Sequence, residues 1–270
     1  MTFDLESYLA RVGYAGAREP TLEVLHALTA AHAQAIPFEN LDVLLGRGID
    51  LAPEAVFDKL VRQRRGGYCF EQNSLFLRAL TALGFQAVPL SARVRIDRPR
   101  EVMPPRTHLF LRVEIAGAHW LTDVGVGALS LTSAIRFGVD EEQPTPHEPR
   151  RLVREDDRWF HQARLGDVWS DVYEFTGEEM PVVDREVSNW FTSTHPQSHF
   201  KGRLIAARAA SDGRRITLQN DELKVRARDG HATTRTVTSP DDLLVVLAEH
   251  FGLRFPPGTR FGPPGAPWPT

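Results

Sequence analysis

The chain has 270 residues, of which 42% are hydrophobic and 25% charged, a composition that excludes a disordered chain and, at this length, one very small domain. Its formal net charge of −3 supplies no global field for nucleic acid or anionic lipid, so neither partner is expected. The single cysteine excludes an internal disulfide and fits a reducing compartment.

The first residues carry Asp4 and Glu6 and lack an apolar signal-type core, and no apolar run approaches about 18 residues, so a cytoplasmic protein without a membrane partner is expected. Ten histidines form no HExxH or comparable ligand cluster, and no metal or prosthetic group is expected. No Walker or GxGxxG loop occurs either.

In chain order, Leu5, Tyr8, Leu9 and Val12 keep helical spacing, and Leu22, Leu25, Leu28 and Ala31 continue it after Thr21 at the N-cap, until Pro37 stops the helix. A third helix is predicted from Pro53 to Val61 and a fourth from Cys69 to Leu83, with Leu75, Phe76, Leu80 and Leu83 on one face before Gly84. From Phe85 the pattern alternates in VPLSARVRI, THLFLRVEI, HWLTDVGV, RWFHQARL and WSDVYEF, which predicts strands of a β-barrel or strongly curved sheet. A short helix is expected around Asp184 to Trp190. Four strands follow in RLIAARAA, RRITLQN, ELKVRARDG and ATTRTVTS, then a helix from Asp241 to Phe251 and a Pro/Gly-rich tail from Phe255 without regular structure. The expectation is an α+β protein in three parts: a helical bundle over 1–84, a barrel over 85–188 and an α/β unit with the tail over 189–270.

The distinctive chemistry gathers in Arg65-Gly66-Gly67-Tyr68-Cys69-Phe70-Glu71-Gln72-Asn73, where two glycines lead into an amphipathic helix. Cys69 falls in its first turn, where free N–H groups and the positive end of the helix dipole favour an anion, so a nucleophilic thiolate is expected. Gly66 and Gly67 would let backbone approach a carbonyl under attack, with nearby N–H groups to hold its oxyanion. Read without that context, a lone cysteine is a buried small hydrophobe.

A cysteine nucleophile needs a base, and the base needs an orienting partner. If Ala116-Gly117 forms a two-residue turn, Ile115 faces Ala118 and the numbers of paired residues sum to 233. Asp123 then falls opposite Phe110 and shares a face with His108 as a diagonal neighbour, with Gly125 opposite His108. A turn shifted by one residue would send Asp123 to the other face.

In this order and spacing RGGYCFEQN, THLFLRV and TDVGVG resemble the cysteine, histidine and aspartate motifs of the arylamine N-acetyltransferases, and PFENLDV and NWFTSTHPQSHF are also similar to motifs of that family. The resemblance covers most of the chain to about Phe200. It implies a helical bundle, a β-barrel and an α/β lid around a cysteine-protease-like catalytic core. It also implies that Cys69 takes acetyl from acetyl-CoA as a thioester and passes it to an arylamine or hydrazine, with His108 relaying protons and Asp123 orienting His108. Tyr68 and Phe70, which flank the cysteine, and Val126 and Phe200 at the acceptor slot are the implied substrate-binding residues. The family commonly has an aromatic residue where Val126 stands. Glu39 and Arg65 are implied to pair beside the loop of Gly66 and Gly67 as its structural support.

The same residue types also suit a cysteine peptidase or a transglutaminase-like acyl transferase, although neither CGSCW nor QACRG occurs around Cys69. A binding module with an inert Cys69 is the reading from a different class. No oligomeric state follows from the sequence.

Overall fold

The computed structural model describes residues 3–138 and 140–262. Asp4 accepts from the Ser7 amide at the start of α1 (Leu5–Val12), and Thr21 accepts from Val24 at the start of α2 (Leu22–Ala35), each satisfying a first-turn N–H that has no partner inside the helix. The helix predicted from Pro53 divides into an α-helical piece and a π-helical turn over Asp58–Arg62. Between them α2 and this piece enclose strand β1 (Phe38–Glu39) and helix α3 (Leu41–Leu44), both too short for periodicity to reveal. The Pro53–Phe57 helix is therefore α4, and α5 is Cys69–Ala82. Tyr8, Leu25, Leu28, Leu60, Phe76 and Leu80 fill the space between these helices.

Seven antiparallel strands form a nearly closed barrel: β2 (Gln86–Val94), β3 (His108–Ile115), β4 (Ala118–Thr122), β5 (Ile135–Arg136), β6 (Arg150–Glu155), β7 (Arg158–Leu165) and β8 (Val168–Phe175). Their order is β5-β4-β3-β2-β8-β7-β6. Strand β3 is buried on both faces, because Leu111 and Val113 pack with the helices while Phe110 packs inside the barrel. The period of two therefore points His108 the way Phe110 points. Pairing of Ile115 with Ala118 and of Leu111 with Thr122 gives the register expected from the Ala116-Gly117 turn, and both turn residues have positive φ, 50° and 75°. The expected strand HWLTDVGV stops at Thr122, however, and Asp123 opens a loop in which its carbonyl accepts from the Leu131 amide at 2.7 Å. Strand β6 was not anticipated: its inward position is taken by Arg150, which breaks the apolar alternation.

Helix α6 runs over Val182–Thr194, longer at both ends than expected. Strands β9 (Ile205–Ala209), β10 (Arg215–Gln219), β11 (Glu222–Arg226) and β12 (Ala232–Thr236) form the second sheet in the order β1-β9-β10-β11-β12, and α7 (Pro240–Phe251) covers it. Leu204, Ala206, Leu218 and Leu223 pack there with Leu243, Val246, Leu247 and with Leu41 and Leu44 of α3. Because β1 pairs Phe38 with Ala207 and also bridges to Gly67, this sheet reaches the loop before Cys69. The tail has no helix or strand up to residue 262, as expected, yet it is packed: Phe261 is buried edge-on to Phe255 at 5.1 Å, and the Gly262 amide donates to the Leu44 carbonyl at 3.2 Å. Pro and Gly prevent regular structure there without preventing packing. The rest of the tail, 263–270, lies outside the described residues. Among the described residues no helix is long and apolar enough to cross a membrane.

Candidate active site

Helix α5 starts at Cys69 because Glu71 reaches back to accept from the Tyr68 amide at 3.0 Å, closing the first turn from its third residue. Lys59 holds the other oxygen of Glu71 at 2.7 Å. Cys69 is 5% exposed and its Sγ lies 3.6 Å from the Thr107 carbonyl, so the thiol at the helix start meets the residue that precedes His108.

His108 Nε2 and Asp123 Oδ2 are 2.7 Å apart, and both side chains are sealed from water. A carboxylate can only accept, so Nε2 carries a proton and Nδ1 is left for the thiol side. Burial by itself would drive the imidazole toward its neutral form. The Asp123 charge and hydrogen bond, together with the neighbouring Cys69 sulfur, outweigh it and raise the ring from 6.5 to about 10. The ring is therefore held as an imidazolium at neutral pH, a charged donor next to the cysteine.

Asp123 is fixed by more than His108. Its Oδ1 accepts from Asn73 Nδ2 at 2.9 Å and from the Gly125 amide at 2.9 Å. Gly125 does not face His108 as expected; it packs flush on α5, where a Cβ would stand 2.7 Å from Asn73 Nδ2 and 2.8 Å from the Cys69 Cα. Only glycine lets the loop lie this close. Asn73 had no role assigned from sequence, although it follows Cys69 by four residues and so shares its helix face.

Glu39 and Arg65 meet as expected, at 2.7 Å with both side chains buried. Asp42 joins Arg65 at 3.2 Å and Lys59 at 2.7 Å, and the Arg65 guanidinium lies 4.6 Å from the Phe255 ring centre. This cluster lies directly under the glycine pair. A Cβ on Gly66 would overlap the Pro37 carbonyl oxygen, and the Glu39 amide donates to the Gly67 carbonyl at 3.0 Å. Gly66 thus serves close packing of the loop on the segment of β1, and Gly67 leaves room for the Glu71 side chain, whose Oε2 lies 2.6 Å from where a Cβ would stand.

Tyr68 is buried, donates its hydroxyl to Asn189 of α6, and contacts Phe70 and Phe200 edge-on at 5.7 and 5.8 Å. Phe70 has no exposed surface, so it supports the site from within. Phe200 is half-buried on a short 3-10 turn beside Phe38 at 6.2 Å. Val126 packs instead with Phe110, Leu121 and Leu129 of the barrel, and the structure does not place it in the cluster of Phe200. The two regions adjoin through Gly127, where an added Cβ would touch the Phe38 ring at 3.5 Å. Among the described residues no group of three His, Cys, Asp or Glu side chains could hold a metal ion.

A family model described as N-acetyltransferase matches residues 21–258. The arylamine N-acetyltransferase of Mycobacterium tuberculosis strain H37Rv is 42% identical over 259 residues, covering 94% of this chain and 90% of that protein. A Salmonella typhimurium protein named arylamine N-acetyltransferase / N-hydroxyarylamine O-acetyltransferase is 40% identical over 255 residues, again covering 94% and 90%. The solved structure of Mycobacterium marinum arylamine N-acetyltransferase in complex with CoA superposes with a TM-score of 0.88 at 40% identity, covering 92% of each chain.

Proposed function

The chain belongs to the arylamine N-acetyltransferase family, enzymes that transfer acetyl to arylamines, and we propose that it does so through an acetyl thioester on Cys69, in two half-reactions with acetyl-CoA as donor. The observation that carries this reading is the buried 2.7 Å contact of His108 with Asp123 beside a cysteine at the start of α5. The relative solved with CoA supports the donor.

In the first half-reaction the Cys69 thiolate attacks the acetyl carbonyl carbon. Its oxyanion is met by the free first-turn N–H groups of α5, which need no reorganisation to receive it. As the bond from acetyl carbon to CoA sulfur breaks, the His108 imidazolium gives its proton to the departing sulfur. In the second, an arylamine or hydrazine nitrogen attacks the thioester and neutral His108 takes the surplus proton. Cys69 leaves as thiolate and the imidazolium is restored. Asp123 keeps the ring in one tautomer and orientation through both halves.

For the acceptor, the exposed part of Phe200, backed by Phe38 and the buried Tyr68, offers an aromatic wall, with the loop of Val126 and Gly127 as its barrel-side border. Initial rates at varied acetyl-CoA and arylamine test the scheme: a covalent intermediate gives parallel double-reciprocal lines. Converging lines would contradict the thioester, and cleavage of a peptide amide without acetyl-CoA would move the chain to the peptidase class.

A further inference from the structure

Asn73 is wholly buried one helical turn beyond Cys69, and each polar atom of its amide is engaged. Nδ2 donates to Asp123 Oδ1 at 2.9 Å and to the Leu109 carbonyl at 2.7 Å, and Oδ1 accepts from the Val124 amide at 3.1 Å. One planar group on the nucleophile's helix therefore grips the residue after His108, the carboxylate of Asp123 and the residue after Asp123. These partners are 36, 50 and 51 positions away in sequence.

A side chain with two N–H donors and one acceptor oxygen in a single plane is required at this position, and among residues of this length only asparagine has it. Aspartate keeps the acceptor and loses both donors; leucine keeps the shape and loses everything else. The Gly125 amide supplies the second donor to Asp123 Oδ1 at 2.9 Å, so that oxygen is saturated and Oδ2 is the one presented to His108. Fixing the carboxylate in this way fixes where the imidazole can lie relative to Cys69, because a buried ring follows its hydrogen-bond partner.

We propose that Asn73 is a positioning residue that sets the registry of all three groups: its amide locks Asp123, and through Asp123 it aims His108 at Cys69. Only the turnover arm of the test rests on the thioester reading above.

The test compares Asn73→Asp and Asn73→Ala with wild type in two assays. The first is alkylation of Cys69 by iodoacetamide across pH, which needs no acetyl-CoA. In Asn73→Asp two carboxyl groups would stand about as close as the donor and acceptor do now, so the new one gives up its proton only above the ordinary carboxylate range and, once ionised near neutral pH, faces the Asp123 charge. A protonated Asp at position 73 can again donate to Asp123, whereas an ionised one repels it. Alkylation in this variant should therefore be slow at neutral pH and recover several-fold on acidification, a response absent from wild type. The titratable groups facing this amide and its partners are Cys69 of α5, His108 of β3, Asp123, Tyr173 of β8 and His161 of β7; all of them are unchanged between the proteins compared.

The second assay is turnover by folded protein. Asn73→Ala should lose roughly 10- to 100-fold in kcat with the Michaelis constant for acetyl-CoA within about two-fold of wild type, since misaimed groups affect the reaction and not donor binding. Alkylation and turnover within about two-fold of wild type in either variant would overturn the assignment. So would a loss in Asn73→Asp that ignores pH and follows only the loss of folded protein, because that is what a purely structural asparagine predicts. An altered alkylation profile in a chain whose wild type forms no acetyl-enzyme would refute the thioester reading and leave Asn73 as assigned.

Discussion

Asp123 and Glu148 are both carboxylates sealed inside the molecule against basic partners, and those partners differ in kind. Asp123 faces one histidine and two neutral N–H donors. Glu148 faces three arginines: Arg150 at 3.0 Å, Arg215 at 2.7 Å and Arg226 at 2.5 Å. Arginine does not give up its proton in a protein, so the Glu148 cluster can only hold β6 to β10 and β11. Histidine does give it up, so the same burial around Asp123 yields a group that can shuttle protons. A buried acid becomes chemistry or clamp according to whether its partner titrates.

The sharpest break is Asp123→Asn. An amide can present the wrong group to His108 and cannot stabilise the imidazolium, so kcat should fall by about 10³- to 10⁴-fold. Retention of more than about a tenth of the wild-type rate would remove Asp123 from the mechanism. The same variant carries a stability signature. Because the folded value of His108 is raised from 6.5 to about 10, by Asp123 against the opposing effect of burial, the pair stabilises the fold fully below pH 6.5 and loses that contribution as pH rises through about 10. Urea midpoints of wild type should decline over that window, and those of Asp123→Asn should not show this decline.

Next in size is Arg65→Ala. It strands Glu39 under the glycine loop while Asp42 keeps Lys59, and loss of one partner of a buried pair costs about 3–5 kcal/mol. Activity per folded molecule should drop with it, because the loop carries Cys69. A double-mutant cycle with Glu39→Ala should show coupling, and additive losses would refute the pairing.

Glu148→Gln is the contrast. Folding free energy should fall by a comparable few kcal/mol as two buried arginines and the half-buried Arg226 lose their counter-charge, with kcat per folded molecule unchanged. Burial opposes ionisation of Glu148, but Arg215 and Arg150 overcome it and hold the carboxyl far below its ordinary 4.5. Its stabilisation is thus present above pH 4.5 and lost as pH falls toward the depressed value, so the variant should lack this acid-side loss. A large kcat effect would place the Glu148 cluster in the catalytic machinery and erase the distinction.

The smallest expected effect is that of Val126→Phe. Added volume in the barrel cluster should cost about 1–3 kcal/mol of stability, while a ring beside the Phe38 wall should change the Michaelis constant for a single-ring amine by several-fold at most, the scale of one aromatic contact. If kcat/KM for single-ring and fused-ring amines responds alike, Val126 does not border the acceptor.

What was legible in the sequence follows the same division. The pairing of His108 with Asp123 could be reached by arithmetic, because a two-residue turn at Ala116-Gly117 fixes every partner on the hairpin. Glu39 and Arg65 were reachable because they lie inside distinctive motifs. Glu148 was not: its arginines on β10 and β11 are 67 and 78 positions away, and no local pattern links them. Asn73 was visible as a residue of the cysteine motif, but its role depends on three elements meeting in space. Phe261 was lost to the tail because composition tells where regular structure ends and is silent on where packing ends.

The central claim is that Cys69 carries the acetyl group between donor and acceptor. Incubating the protein with acetyl-CoA and no acceptor, then mapping the modification by mass spectrometry, tests it most directly. The account predicts one acetyl group per chain, located on Cys69, discharged when an arylamine is added and absent from Cys69→Ser. An unmodified Cys69 in protein that nonetheless acetylates the amine would contradict it.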